Sequence, residues 1–228
     1  MVHRESQETK DFLTDFIAPN FFFSKKDVWH RFGMLGVFGD YVLSCTLGDV
    51  AEIGVGESSI YLSRVARKYG RRISHCDISP AKIINPLTVD GYLTEKALNI
   101  EPPTGQDCQV TDGQSFFFMG PSDNFFRHLP GGLALAFIDG DHLYEPAARD
   151  FWNFVPLMVE NGYIILHDTM PPSEEYLSES ACGGVWRLRQ DIEKDPRFDC
   201  ITLPRGCAIS VGLTIVRVKP KVRPFYNE

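Results

Sequence analysis

From residue 49 onward, short apolar runs alternate with stretches whose apolar residues recur at helical spacing. A run such as Leu133–Ile138 has no polar alternation, so both of its faces need apolar cover, as in a buried parallel sheet. The pattern predicts strands over 50–53, 72–76, 133–138 and 163–166, and a weak third strand over 107–110. Helices are predicted over 58–69, 145–159 and 185–194, and an antiparallel pair over 198–203 and 208–218. In the 145–159 helix the apolar face reads Ala148, Phe151, Trp152, Val155 and Met158, with Pro156 bending its last turns and Asn161-Gly162 stopping it. Strand and helix in alternation mean an α/β fold.

Residues 1–48 carry an amphipathic stretch, Phe12-Leu13-Phe16-Ile17, and then an aromatic segment; they read as an N-terminal helical cap on a 49–218 domain, with a solvated tail over 219–228. Four prolines between 79 and 109 allow only broken helix there. The segment 169–184 is poor in apolar residues and reads as a lid, with Gly183-Gly184 as its hinge. The Phe116-Phe117-Phe118 and Phe125-Phe126 runs read as core or as walls of a ligand pocket.

The chain has 228 residues, 43% of them hydrophobic, which places it among folded proteins rather than disordered ones. A net charge of −7 disfavours a surface that tracks nucleic-acid phosphates, so no nucleic-acid partner is expected. No run of 18 apolar residues is present and the first residues are polar, so neither a membrane partner nor export is expected, and the cytoplasm is the expected compartment. The six cysteines form no Cys-x-x-Cys pair and read as free thiols.

The first strand runs into Glu52-Ile53-Gly54-Val55-Gly56-Glu57-Ser58-Ser59 and then a helix. Two glycines there permit a tight turn and close approach of a ligand to the backbone. Asp77 ends the second strand 21 residues after Gly56, where a carboxylate accepts hydrogen bonds from ribose hydroxyls. An adenosine-bearing cofactor follows. Glu52 and Glu57 would repel a pyrophosphate, and Ser59 replaces the third glycine of the dinucleotide pattern, so S-adenosylmethionine, with its cationic end, suits the loop better than NAD. Glu52, Gly54, Gly56, Ser58 and Asp77 are the candidate cofactor residues; a purely structural glycine turn is the bland alternative.

Asp139 and Asp168 end adjacent strands roughly 4.8 Å apart, so both carboxylates emerge at one sheet edge. Asp141 adds a third acid. Such a cluster calls for a compensating cation or a shared proton, and oxygen donors favour Mg²⁺, Mn²⁺ or Ca²⁺, with His142 admitting softer ions.

Together, Glu52-x-Gly54-x-Gly56, Asp77, Phe137-Ile138-Asp139-Gly140-Asp141-His142-x-Tyr144-Glu145 and Ile165-Leu166-His167-Asp168 resemble the class I S-adenosylmethionine-dependent methyltransferases, and among them the macrocin-type O-methyltransferases of sugars and small molecules. The resemblance runs from about residue 29 to 218 and rests most on the Asp-Gly-Asp-His-x-Tyr-Glu run. It implies a Rossmann-like fold, a seven-stranded mostly parallel sheet with an antiparallel last strand and helices on both faces. It also implies a metal held by Asp139 and Asp168, a third ligand at the position of Thr169 where relatives often carry an amide, and a general base at His142. Asp139 and Asp112 are the further cofactor contacts it suggests, Ser115 a weaker one. His142 stays open between base, metal ligand and strand-end structural histidine, while His167 reads as a packing or supporting residue. The acceptor implied is a small molecule or glycan, and a homo-oligomer is allowed. A cofactor-binding module without chemistry and an NAD-dependent oxidoreductase are the alternatives. DNA amino-methylation does not fit, because Asp139-Gly140-Asp141-His142 stands where an Asn/Asp-Pro-Pro-Tyr run would.

Overall fold

The computed structural model describes residues 32–79, 108–111, 114–178, 182–203 and 211–220. Its strands are β1 (Asp49–Ile53), β2 (Ile73–Asp77), β3 (Cys108–Thr111), β4 (Ser115–Met119), β5 (Leu133–Ile138), β6 (Met158–His167), β7 (Phe198–Leu203) and β8 (Leu213–Val218). They form one sheet in the order β3-β4-β2-β1-β5-β6-β8-β7. The run from β4 to β6 is parallel, and β8 is antiparallel to both of its neighbours. The expected seven-stranded Rossmann-like sheet with its antiparallel last strand is therefore present, and β3 extends it as an antiparallel eighth strand at the edge.

The helices are α1 (Gly33–Cys45), α2 (Glu57–Lys68), the single turn α3 (Ser122–Phe125), α4 (Tyr144–Phe154) and α5 (Val185–Lys194). The period-2 pleat splits β5 between two cores. Leu135 and Phe137 pack with Leu35, Leu43, Leu62 and Val65 of α1 and α2, while Ala136 and Ile138 pack with Phe151, Phe154, Leu188 and Ile192 of α4 and α5. Helices thus cover both faces. Within the segment read as a cap, α1 contributes to the sheet's own core, tied to α2 by a 2.6 Å Lys68–Asp40 ion pair; residues 1–31 lie outside the described residues.

Two readings of the pattern are corrected. The parallel third strand is the Phe116–Phe118 run, in β4, whereas the weak strand near 107–110 is the edge partner β3. The 145–159 helix ends at Phe154, where Pro156 converts it to a 3-10 turn, and Asn161-Gly162 falls inside β6. Its buried stripe is Ala147, Asp150, Phe151 and Phe154, with Trp152 39% exposed. Among the described residues, no helix is long and apolar enough to cross a membrane.

Candidate active site

In the strand order, β1 leads to β2 on one side while β5 lies on the other, so the chain's direction of travel reverses between β1 and β5. A crevice opens beyond the carboxyl ends of strands at such a switch point. Gly54 sits there with φ +91°, and a Cβ on it would overlap the Asp139 carbonyl, so only glycine lets the loop leave β1 this close to β5. The Asp139 amide donates to the Ile53 carbonyl at 2.8 Å and the Gly54 amide to the Cys76 carbonyl at 2.9 Å, extending the ladders past both strands.

A cavity of about 310 Å³ lies over this edge, lined among others by Gly54, Asp77, Ile78, Ser122, Asp141 and Asp150. Asp77 accepts the Val55 amide at 2.9 Å and the Ser79 amide at 2.7 Å, so its carboxylate shapes the glycine loop as well as facing the cavity. Ile78 is 78% exposed, a large apolar side chain left uncovered beside it. Ser59 holds the turn by accepting the Gly56 amide at 3.1 Å.

Glu52 and Ser58 play a different part from the one expected of them. Glu52 is wholly buried, accepting the Ser58 hydroxyl at 2.5 Å through Oε1 and meeting His75 Nδ1 at 2.6 Å through Oε2. His75 stacks on Phe117 at 4.6 Å and lies 3.3 Å from the Ser63 hydroxyl. The Glu52 carboxylate therefore fastens α2 to β1 and β2 beneath the loop and is not presented to a ligand, which removes the repulsion argument that rested on its charge. Asp112 lies outside the described residues. Ser115 starts β4, at the sheet edge opposite the cavity, and the residues that follow β4 into the cavity wall are Gly120, Pro121 and Ser122.

Sequence reasoning missed Asp150. It is 2% exposed, accepts the Ser122 hydroxyl at 2.6 Å, and burial raises its pKa to about 6 against the pull of Ser122 and of Arg149. The signal was in the spacing, since Asp150 sits three residues after Ala147 and four before Phe154, on the buried stripe. A raised folded-state pKa means that the folded protein binds a proton more tightly than the unfolded chain between about 4 and 6, so this group's contribution to stability falls as pH rises through that window. Asp150→Asn removes the buried charge. The variant is expected to be more stable than the parent at pH 8 by about 1–3 kcal/mol, with the gap closing by pH 4. Urea melts at the two pH values check this, and an equal gap at both would refute the linkage.

At the ends of β5 and β6, Asp139, His142 and Asp168 place their ligand atoms within 4.8 Å of one another. His142 Nε2 is 3.1 Å from Asp168 Oδ2. His167 Nδ1 is 3.0 Å from Asp139 Oδ1 and 3.1 Å from Asp168 Oδ2. Burial opposes protonation of His167, yet attraction and hydrogen bonding to the two carboxylates outweigh it and push its pKa up to about 10. A buried imidazolium thus supplies part of the compensating charge that the two acids need, so His167 is electrostatically central and not simply packing, although its ring also lies 5.3 Å from that of Phe32. Asp168 takes φ +57°, the strained left-handed region, as functional side chains often do.

Thr169 and Asp141 do not join the cluster. The Thr169 hydroxyl is buried and accepts the Thr214 hydroxyl at 2.8 Å, while Asp141 Oδ1 caps the Leu143 amide at 2.8 Å and the residue lines the cavity. Gly183 and Gly184 are not a free hinge either. A Cβ on Gly183 would overlap the His142 carbonyl, one on Gly184 would overlap Tyr144, and the Gly184 amide donates to the His142 carbonyl at 2.7 Å. They are the close contact that fixes His142 from behind. Between the anchors, Pro172 to Ser178 is exposed, including Tyr176 and Leu177.

Solved structures share this architecture. The chain aligns with SAH-bound methyltransferase PaMTH1 of Podospora anserina at 16% identity, over 96% of this chain and 99% of that one, with a TM-score of 0.58. It aligns with cofactor-bound Rv0187 from MTB at 16% identity, over 97% and 93%, with a TM-score of 0.61. A Staphylococcus aureus protein described provisionally as a caffeoyl-CoA O-methyltransferase matches at 14% identity, over 93% and 100%, with a TM-score of 0.58. A curated relative, uncharacterized protein R132 of Acanthamoeba polyphaga mimivirus, is 42% identical over 40 residues, a stretch covering 18% of each protein. The family model for the methyltransferase domain matches residues 51–169, over half of the chain and spanning both the glycine loop and the acidic cluster. The chain belongs to that methyltransferase family.

Proposed function

We propose that this protein is an S-adenosylmethionine-dependent O-methyltransferase acting on a hydroxyl of a sugar or other small molecule. The observation that carries the reading is the meeting, at one sheet edge, of a glycine-turned cavity and the Asp139–His142–Asp168 cluster. Asp77, the Gly54–Gly56 loop and exposed Ile78 offer acceptor, backbone and apolar surface where a nucleoside with an amino acid end would need them. S-adenosylmethionine, when bound, supplies a methyl group on a sulfonium open to in-line attack. The protein's part is to seat the acceptor beside that group and to take its proton.

His142 is suited to the proton. If Nε2–H donates to Asp168, the lone pair lies on Nδ1, and the Gly184 amide holds the backbone in place. Asp139, His142 and Asp168 also fit a divalent cation such as Mg²⁺ or Mn²⁺, two carboxylates and an imidazole being an ordinary donor set. Such an ion would acidify a coordinated hydroxyl. The His167 imidazolium supports a second reading, in which the cluster works by proton transfer alone. The net charge of −7 favours small acceptors over nucleic acid.

The test is methyl transfer from radiolabelled S-adenosylmethionine to a panel of sugar and phenolic hydroxyls, before and after chelation. Turnover lost on chelation and restored by Mg²⁺ supports the metal reading, whereas undiminished turnover supports proton transfer alone. Failure to bind S-adenosylhomocysteine in calorimetry would end the proposal.

A further inference from the structure

We infer that Asp150 and Ser122 together select the base of the bound nucleoside by accepting an exocyclic amino group, which makes the cavity specific for adenine over a 6-oxo purine; this rests on the cofactor reading above.

The sheet order sets where the base would lie. Across the cavity edge run the ends of β4, β2, β1 and β5, contributing Gly120 to Ser122, then Asp77 and Ile78, then Ile53 and Gly54, then Gly140 and Asp141. With the ribose at Asp77 and the amino acid end over the glycine loop, the base projects the other way, past β2 toward β4. That end is closed by Ser122 and Asp150.

The chemistry there is one-sided. Ser122 gives its only hydroxyl proton to Asp150 Oδ1, so its oxygen has just lone pairs left to offer. Asp150 Oδ2 has no hydrogen-bond partner among the described residues, although the residue is 2% exposed. The nearby cation, Arg149, is engaged by Asp123 at 2.8 Å. Two acceptors with no side-chain donor between them match an amino group, whose two N–H bonds can reach both oxygens, and they oppose a carbonyl oxygen in the same place. The elevated pKa of Asp150 agrees with a carboxylate held out of water without a full set of donors. A protein gains nothing in stability from such a group, which is the mark of a functional position.

The experiment compares S-adenosylhomocysteine with S-inosylhomocysteine, which carries oxygen in place of the 6-amino group, by calorimetry at pH 8. The parent is expected to prefer the adenine ligand by about 100-fold, as a site built to pair a polar group does. Asp150→Asn keeps the Ser122 contact but turns an N–H toward the base, so the preference should shrink to within about 10-fold as the 6-oxo ligand gains a donor. Should Asp150→Asn not fold, Ser122→Ala puts the same ratio to the test, with a smaller loss expected. A parent that binds both ligands equally, or a variant that keeps the parent's ratio, overturns the inference. A parent that binds neither ligand refutes the cofactor reading instead.

Discussion

Replacing His142 with alanine is expected to lower kcat by about 10²–10⁴-fold while leaving the affinity for S-adenosylhomocysteine within about twofold of the parent. The separation is the point. His142 stands at the acidic end of the site, 3.1 Å from Asp168, and is not among the residues lining the 310 Å³ cavity. Its loss removes the one neutral-range base among the three clustered side chains but leaves Asp77 and the glycine loop in place. Single-turnover methyl transfer, with cofactor binding measured independently, checks both halves. A rate equal to the parent's would remove His142 from the chemistry. A metal affinity that falls together with the rate would make it a ligand through Nε2, since a base acting through Nδ1 has no reason to weaken the ion.

The parallel core was legible because β1, β5 and most of β6 are apolar on both faces and are punctuated by glycines and acids. β4 was harder to see. Its three consecutive phenylalanines have no partner pattern of their own, and only their register against Ile73–Asp77 makes them a strand. In α4 the apolar spacing was assigned to the wrong side, because Trp152 is so hydrophobic that it drew the stripe toward itself, yet it is 39% exposed while Asp150 is buried. Ranking residues by hydropathy cannot find a buried aspartate; the 3.6-residue period can.

The site divides along the same line. Gly54, Asp77, Asp139, His142 and Asp168 were readable because they terminate strands or turn the chain, and strand ends at a switch point are where ligands meet an α/β sheet. Thr169 follows Asp168 directly, but at that step the chain leaves β6 and carries its side chain toward β8, where it meets Thr214. Position next to a ligand residue does not determine direction. His167 was undervalued because its importance depends on two distances to carboxylates, one of them 28 residues away in sequence.

Glu52 shows most directly how a motif residue can be found for the wrong reason, and it leads to the largest expected loss of stability. Glu52 and His75 are both wholly buried, with Ser58 and Ser63 as their other polar neighbours. Removing one member of such a pair leaves its partner without compensation, so Glu52→Ala is expected to lower the unfolding free energy by about 3–5 kcal/mol. Replacing both with apolar residues of similar size, Glu52→Leu with His75→Phe, should recover much of that loss, since desolvation of the pair disappears along with its attraction. Denaturant melts of the two single variants and the double variant close the cycle. The double variant leaves the Ser58 hydroxyl at the start of α2 without its acceptor, so S-adenosylhomocysteine should bind it less tightly than the parent even where stability is regained. Stability recovered with undiminished binding would mean that Glu52 serves the fold alone. Single variants that unfold at the parent's denaturant midpoint would mean that the buried pair is not what fastens α2 beneath the glycine loop.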